Sequence, residues 1–421
     1  MNHFQYRNNE FFCEDVPVSR IAHEVGTPFY LYSHATLARH YHVFNDAFSG
    51  VSHMVCYSAK ANSNIAVLEL FTSLGSGLDI VSGGELYRGL KAGVPPDMIV
   101  YSGVGKRIDE IEYALKSGIL MFNVESMQEL DTINQCAARL NTRARISLRV
   151  NPDIDPKTHP YIATGMKRSK FGISREDAPE AYRYASGLSH LDVIGVDAHI
   201  GSQLTDISPF IDALKRLKEL ISEINGLGIE IKYLDFGGGL GITYEQETPP
   251  HPAAYAEAII KELGHMPLTL IFEPGRVLVG NAGILVSRCV YVKKGGRKNF
   301  IIVDAAMNDL VRPSLYDAYH AIQPVVRGEK NTFIADVVGP ICESGDFFAH
   351  DREVIECAQG DLLAVMSAGA YGFSMSSNYN SRPRVAEVMV NKDVFHVIRA
   401  RETYEDIVRG ETVPDWLMKS A

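Results

Sequence analysis

Apolar positions along the chain gather into short runs: Val51 to Tyr57, Leu78 to Val81, Met98 to Tyr101, Leu120 to Val124, Ala144 to Val150, Leu191 to His199, Ile231 to Phe236 and Leu268 to Phe272. Segments of helix length separate them. Eight strands, each followed by a helical crossover, predict an α/β fold of the (β/α)8 TIM-barrel type, whose usual size is about 250 residues. A doubly wound sheet alternates in the same way but seldom needs eight units. The Gly-x-Gly-x-x-Gly turn that usually follows its first strand is absent here.

The pattern changes on either side of the barrel. Ahead of it, Val18, Ile21, Ala22 and Val25 mark a short helix stopped by Gly26-Thr27-Pro28, followed by a strand-like Phe29 to Tyr32 and a helix from Ala35 to about Phe48. Beyond Asn281, strand-like runs at Ile284 to Val292, Phe300 to Asp304, Thr332 to Val338, Glu353 to Ala358, Leu362 to Met366 and Arg384 to Val390 are split by Gly and Pro turns. They predict an all-β C-terminal domain, Greek-key or sandwich-like. The early strand is expected to join it, so that residues 36–281 form the barrel and residues 1–35 with 282–421 the β domain.

Composition narrows the function classes. The 421 residues suffice for two or three domains, and 46% hydrophobic with 22% charged residues is ordinary for a soluble protein. A net charge of −10, with no basic tail or stripe, argues against nucleic acid as a partner. The polar start of the chain and the lack of a membrane-length apolar run predict a cytoplasmic protein with no membrane partner. Six cysteines, at 13, 56, 136, 289, 342 and 357, are scattered without zinc-type spacing, so free thiols and no metal site are expected.

In such a barrel the catalytic side chains come from the C-terminal strand ends. Those ends carry Lys60, then Asp79 with Ser82-Gly83-Gly84-Glu85, Arg149, His199 with Ser202, Gly237-Gly238-Gly239, and Glu273-Pro274-Gly275-Arg276. Lys60, between small residues at the end of a buried strand, is expected to be partly desolvated, with a lowered pKa and an amine free to attack a carbonyl. The glycine triplet after the seventh strand, with Gly275 and Arg276 after the eighth, suits a phosphate. A lysine amine beside a phosphate cradle points to pyridoxal 5′-phosphate. Glu273 can then face the pyridine nitrogen, His199 can lie against the ring and Ser202 can donate to the phosphate. Singly these residues also read as a salt-bridged carboxylate, a core histidine and a tight turn, and Ser82 with Glu85 fits a helix capping box. Their joint placement at one rim is what argues for a cofactor.

Further segments extend the pattern: Tyr57-Ser58-Ala59-Lys60-Ala61-Asn62, His199-Ile200-Gly201-Ser202-Gln203, Gly237-Gly238-Gly239-Leu240, Arg312-Pro313-Ser314-Leu315-Tyr316, Gly339-Pro340-Ile341-Cys342-Glu343-Ser344 and Gly369-Ala370-Tyr371. Over nearly its full length the chain resembles the fold-type III pyridoxal-phosphate decarboxylases of basic amino acids, and within them the branch acting on meso-diaminopimelate. Ser58, where the family often has alanine, is a small departure.

The resemblance implies that Lys60 holds the cofactor as an internal aldimine, with His199 on the ring and Glu273 on its nitrogen. Gly237, Gly238, Gly239, Gly275, Arg276, Ser202 and Tyr371 would hold the phosphate region, Tyr371 reaching it from the β domain. Arg276, Arg312, Tyr316 and Tyr371 would contact the substrate, the two arginines and Tyr316 binding its distal carboxylate and Glu343 its distal ammonium. Cys342 would protonate the quinonoid carbanion left by decarboxylation. The resemblance further implies a homodimer with shared sites, Cys342 and Glu343 completing the other subunit's. Ornithine, arginine or lysine decarboxylases are the nearest alternatives; they generally carry aspartate after the cysteine and lack the arginine set. An alanine racemase would have arginine where Glu273 stands, and a non-catalytic regulator would not need both Lys60 and Cys342.

Overall fold

The computed structural model describes residues 2–154, 170–328 and 331–417, so the loop from Lys167 to Phe171 falls partly outside it. The chain forms two compact units. One is built on His34–Ala282 with Gly369–Ser374, the other on His3–Ser33, Gly283–Ala368 and the chain from Met375 onward.

The first unit is a closed parallel barrel. Its strands are His53–Ser58, Gly77–Ile80, Ile99–Tyr101, Met121–Val124, Ala144–Asn151, Leu191–Asp197, Tyr233–Asp235 and Thr269–Phe272. Each pairs with the next, and the eighth pairs with the first through Phe272 and Val55. Closure leaves the barrel sheet no free edge, which relieves the unpaired backbone groups that an open sheet exposes. Helices cover the outside by apolar stripes: Ser208–Gly226 buries Phe210, Leu214, Leu217, Ile221 and Ile224, spaced three or four apart.

Strand alternation decides what fills the inside. On the first strand Tyr57 faces outward against Phe71, while Met54 and Cys56 pack with Val100, Met121 and Ile271 in an internal cluster. One step further along each strand the inward position is polar: Ser58, Asp79, Ser102, Asn123, Ser147, Asp197, Asp235 and Glu273, all buried. An apolar layer thus supports a polar one at the C-terminal end.

The second unit is organised on the long strand Gly283–Lys294. Its first half pairs with Phe29–Ser33 on one side and Leu362–Val365 on the other, and its second half with Asn299–Val303. Phe29–Ser33 also runs parallel to Ala386–Asn391. One core joins Phe11, Ile21, Phe29 and Leu31 to Ile284, Val286 and Val388, so residues from both ends of the sequence share it.

Several strands lie elsewhere than the pattern predicts. The strand expected at Glu353 to Ala358 is Phe347–Ile355, whose polar middle, His350 to Arg352, interrupts the apolar signal. Phe4–Arg7 and Glu10–Cys13 form an unpredicted hairpin, turned at Asn8 and Asn9 with φ of 47° and 67°, the left-handed pair that tight hairpins use. Val394–Arg399 lies at the far end of the large sheet, with Val394 and Val397 half exposed. Among the described residues no helix is long and apolar enough to cross a membrane.

The barrel's first and last strands are clamped outside by aromatics: Phe272 packs tilted against Phe48 with ring centres 4.1 Å apart and meets Phe44 edge-on at 5.9 Å. Phe272 is fully buried. Phe272→Ala should therefore lose about 3–5 kcal/mol of stability, read as a lower urea midpoint by circular dichroism. A loss below about 0.5 kcal/mol would show that the cluster closes over the gap.

Candidate active site

Lys60 sits in the single turn Ala59–Ala61 that follows the first strand. Its ammonium donates to Asp79 Oδ2 at 2.7 Å, and Ser58 Oγ donates to the same oxygen at 2.8 Å. Asp79 is wholly buried, while the lysine side chain is about a third exposed. Burial pulls the Lys60 pKa down, but Asp79, then Glu273 and Tyr371, more than offset it, so that it lies above the ordinary lysine value. The expected lowering is therefore corrected. The deciding group stands on the neighbouring strand, where Ser58 is in register with Asp79.

Glu273 follows the eighth strand and is 5% exposed. Ser102 Oγ donates to its Oε1 at 3.2 Å, and Asn123 Nδ2 reaches the same oxygen at 3.5 Å. Burial, then Asp235 and Asp79, hold its carboxyl well above the usual range, with Lys60 opposing. His199, half-buried, accepts the Gly238 N–H on Nδ1 at 3.2 Å. Burial, then Arg149 and Lys60, keep its pKa well below the usual value, so the ring is neutral, with its proton on Nε2.

The glycine triplet is pressed between strand ends. A Cβ on Gly238 would lie 2.2 Å from the Glu273 carbonyl oxygen, and Gly237, at φ 64°, donates to Asp235 Oδ1 at 3.1 Å. Two of its three amides thus serve contacts inside the protein, which the sequence pattern did not suggest. Arg276 supplies the cationic end: its guanidinium donates to Tyr244 OH at 2.6 Å and Ser202 Oγ at 3.1 Å, and lies 5.0 Å from the centre of the Tyr371 ring. Tyr371 belongs to the segment that clusters with the barrel, and its N–H donates to the Ala61 carbonyl at 2.8 Å. Lys60, His199, Ser202, the triplet, Glu273, Gly275, Arg276 and Tyr371 all line one cavity.

Arg312, Tyr316, Cys342 and Glu343 lie in the second unit. Arg312, 6% exposed, opens the short helix Arg312–Tyr316. Ser314 Oγ of that helix donates to the Gly345 carbonyl, beside the turn carrying Cys342 and Glu343. Asp346 holds the turn by accepting the Ile341 N–H at 2.6 Å. Cys342 is exposed, and Glu343 Oε2 accepts from Tyr379 OH at 2.8 Å. Ser82 accepts the Glu85 N–H at 3.2 Å, half of the expected capping box. The Glu85 carboxylate instead takes the Val81 N–H at 2.7 Å, and burial, its largest influence, pushes its pKa up to about 7.

Residues 34–280 match the model of the pyridoxal-dependent decarboxylase family, pyridoxal binding domain. A diaminopimelate decarboxylase of Pseudomonas aeruginosa is 52% identical over 98% of this chain and 99% of its own, and one of Aquifex aeolicus 51% identical over 96% of each. This chain belongs to the diaminopimelate decarboxylase family. Among solved structures, the diaminopimelate decarboxylase of Helicobacter pylori, complexed with L-lysine, superposes with a TM-score of 0.90 at 45% identity, covering 93% of this chain and 98% of that one. The M. jannaschii enzyme superposes at 0.94 with 38% identity over 99% of each chain. Membership in the diaminopimelate decarboxylase family makes the protein a pyridoxal-phosphate-dependent carboxy-lyase.

The cavity fits that cofactor. It offers an amine for an aldehyde, a guanidinium and hydroxyls for a phosphate, and a buried carboxyl for a basic ring nitrogen. Sequence reading passed over Asn123, Asp197, Asp235 and Tyr244. Asp197 and Asp235 close the sixth and seventh strands, two residues before His199 and Gly237, so the strand-end rule could have found both.

Asp79→Asn removes the charge that raises the Lys60 pKa. The pH midpoint for capture of the cofactor aldehyde, followed by visible absorbance, should fall by about 1 unit or more. An unchanged midpoint would show that Asp79 does not hold the amine.

Proposed function

We propose that the protein decarboxylates meso-2,6-diaminopimelate to L-lysine and carbon dioxide, as a cytoplasmic step of lysine biosynthesis. The observation that carries this reading is the convergence of Lys60, Glu273, His199 and Arg276 on one cavity, in a chain about half identical to named diaminopimelate decarboxylases along nearly its whole length.

Lys60 would bind the cofactor covalently, and Gly237, Gly238, Gly239, Gly275, Arg276, Ser202 and Tyr371 would surround its phosphate. Bound pyridoxal phosphate supplies a sink for the electron pair left on the substrate's α-carbon when carbon dioxide departs. Glu273 would pair with the ring nitrogen, and neutral His199 would lie on the ring without adding a competing positive charge. Asp79 takes the Lys60 ammonium whenever that amine is not covalently engaged.

Arg276, Arg312 and Tyr316 would pair the substrate's distal carboxylate and Glu343 its distal ammonium, since leaving either charge buried alone is costly. Cys342 would deliver its thiol proton to the α-carbon. In a homodimer, Cys342 and Glu343 of one subunit would complete the site of the other, and their exposed turn is consistent with meeting a partner. Arg312 and Glu343 favour diaminopimelate over ornithine, arginine or lysine, which lack a distal carboxylate.

The test is carbon dioxide release from meso-diaminopimelate, ornithine, arginine and lysine offered separately to the purified enzyme. Only the first should be turned over efficiently; equal release from any other would overturn the substrate assignment. Cys342→Ala should bind cofactor with an unchanged visible spectrum and lose about 10²-fold or more in kcat. Full activity in that variant would remove the proton-donor role.

A further inference from the structure

Behind Glu273 the barrel holds more carboxylate than it can balance with charge. Asp197, Asp235 and Glu273 close three adjacent strands, one oxygen of each lies within 4.8 Å of the others, and all are nearly fully buried. Asp79 faces the group from the second strand. The cations facing it are Lys60, on Asp79 at 2.7 Å, and Arg149, on Glu125 at 2.9 Å and 3.9 Å from Asp197. Cys56, facing from the first strand, is held neutral by burial and by the carboxylates around it, and His199 is neutral too.

The hydrogen-bond donors on Asp235 and Glu273 are uncharged. Gly237 N–H serves Asp235 Oδ1 at 3.1 Å, and Asn123 Nδ2 serves Oδ2 at 2.9 Å. Ser102 serves Glu273, while Ser147 Oγ fixes the Asn123 amide by donating to its Oδ1 at 2.6 Å. That last bond sets which way Asn123 points, so its N–H groups face the acids. Two carboxylates this close, out of water and with only neutral donors, do not both ionise at neutral pH. Burial pushes the Asp235 carboxyl up to about 6 and holds that of Glu273 well above the usual range.

We propose that Asp235 and Glu273 share a single proton, and that Asp235, oriented by Asn123 and the Gly237 amide, is a positioning residue that sets the protonation of Glu273 toward the cofactor ring. The inference rests on the reading that Glu273 faces the ring nitrogen. When that nitrogen arrives, the shared O–H bond breaks. The proton passes to the nitrogen if it comes unprotonated, or to solvent if it already carries one. The pair is left doubly ionised against one cationic ring.

The test is the cofactor dissociation constant as a function of pH. An uncharged residue at 235 lets Glu273 ionise beforehand, so the wild type releases up to one proton more on binding than Asp235→Asn does. The ratio Kd(Asp235→Asn)/Kd(wild type) should rise with pH, approaching tenfold per unit, between about pH 6 and 8. A ratio that is constant with pH, the mark of a merely structural role, would overturn the proposal. Asp235→Ser should give the same slope if the asparagine does not fold. The wild type carries a test of its own: the infrared difference between cofactor-loaded and cofactor-free protein at pH 7 should show the loss of one protonated-carboxyl stretch that is missing from the same difference in Asp235→Asn, and no such loss in the wild type would also overturn the shared proton. Glu273→Gln separates the two readings. Wild-type affinity there would remove the role of Glu273 itself, whereas weakened binding with a flat Asp235→Asn ratio removes the shared proton alone.

Discussion

Buried negative charge at the C-terminal ends of the barrel strands is the constraint on which the site depends. Asp79, Asp197, Asp235 and Glu273 lie out of water, and the cations facing them are Lys60 and Arg149. Desolvating an ion costs several kcal/mol unless a partner offsets it. The chain meets that cost in three ways: by ion pairing at Lys60 with Asp79, by neutral donors at Asn123, Ser102 and the Gly237 amide, and by keeping protons on carboxyls. Of these groups, the Lys60 ammonium and the Glu273 acid line the cavity.

Alternation along parallel strands places those groups. The inward positions that supply Met54, Cys56, Val100, Met121 and Ile271 to the apolar layer supply Ser58, Asp79, Ser102, Asn123, Asp235 and Glu273 one step later. A register slip of one residue would turn each of them outward. Outer packing, such as Phe272 on Phe48 and Tyr57 on Phe71, therefore does more than stabilise the barrel, because it fixes the register that points the polar layer inward.

How much of this was legible in the sequence follows from where the signals lie. Lys60, His199 and Glu273 each stand at or just past the end of a strand-like run, so counting strands located them. Asp197 and Asp235 sit inside the runs Leu191 to His199 and Ile231 to Phe236, at strand ends that fall short of where those runs stop, so the strand-end rule finds them only when the strands are ended there. The direction of the Lys60 pKa was not legible. Its neighbours in sequence are small and apolar, while Asp79 is its neighbour only through strand register. In the second unit, polar stretches hid strands such as Phe347–Ile355, because a half-exposed strand shows alternation, and His350 to Arg352 breaks it.

The glycine triplet shows how the two levels correct each other. As sequence, three glycines after a strand suggest amides converging on an anion. In the fold, Gly237 and Gly238 donate to Asp235 and His199, and Gly238 leaves room for the Glu273 carbonyl where a Cβ would clash. The triplet thus sets two side chains as well as a loop. It holds Asp235 beside Glu273, and it fixes the tautomer of His199 by occupying Nδ1. A neutral, oriented imidazole and an oriented Asp235 carboxyl are direct consequences of that backbone path. The loop read first as a phosphate cradle is also the element that ties the ring-facing residues to one another.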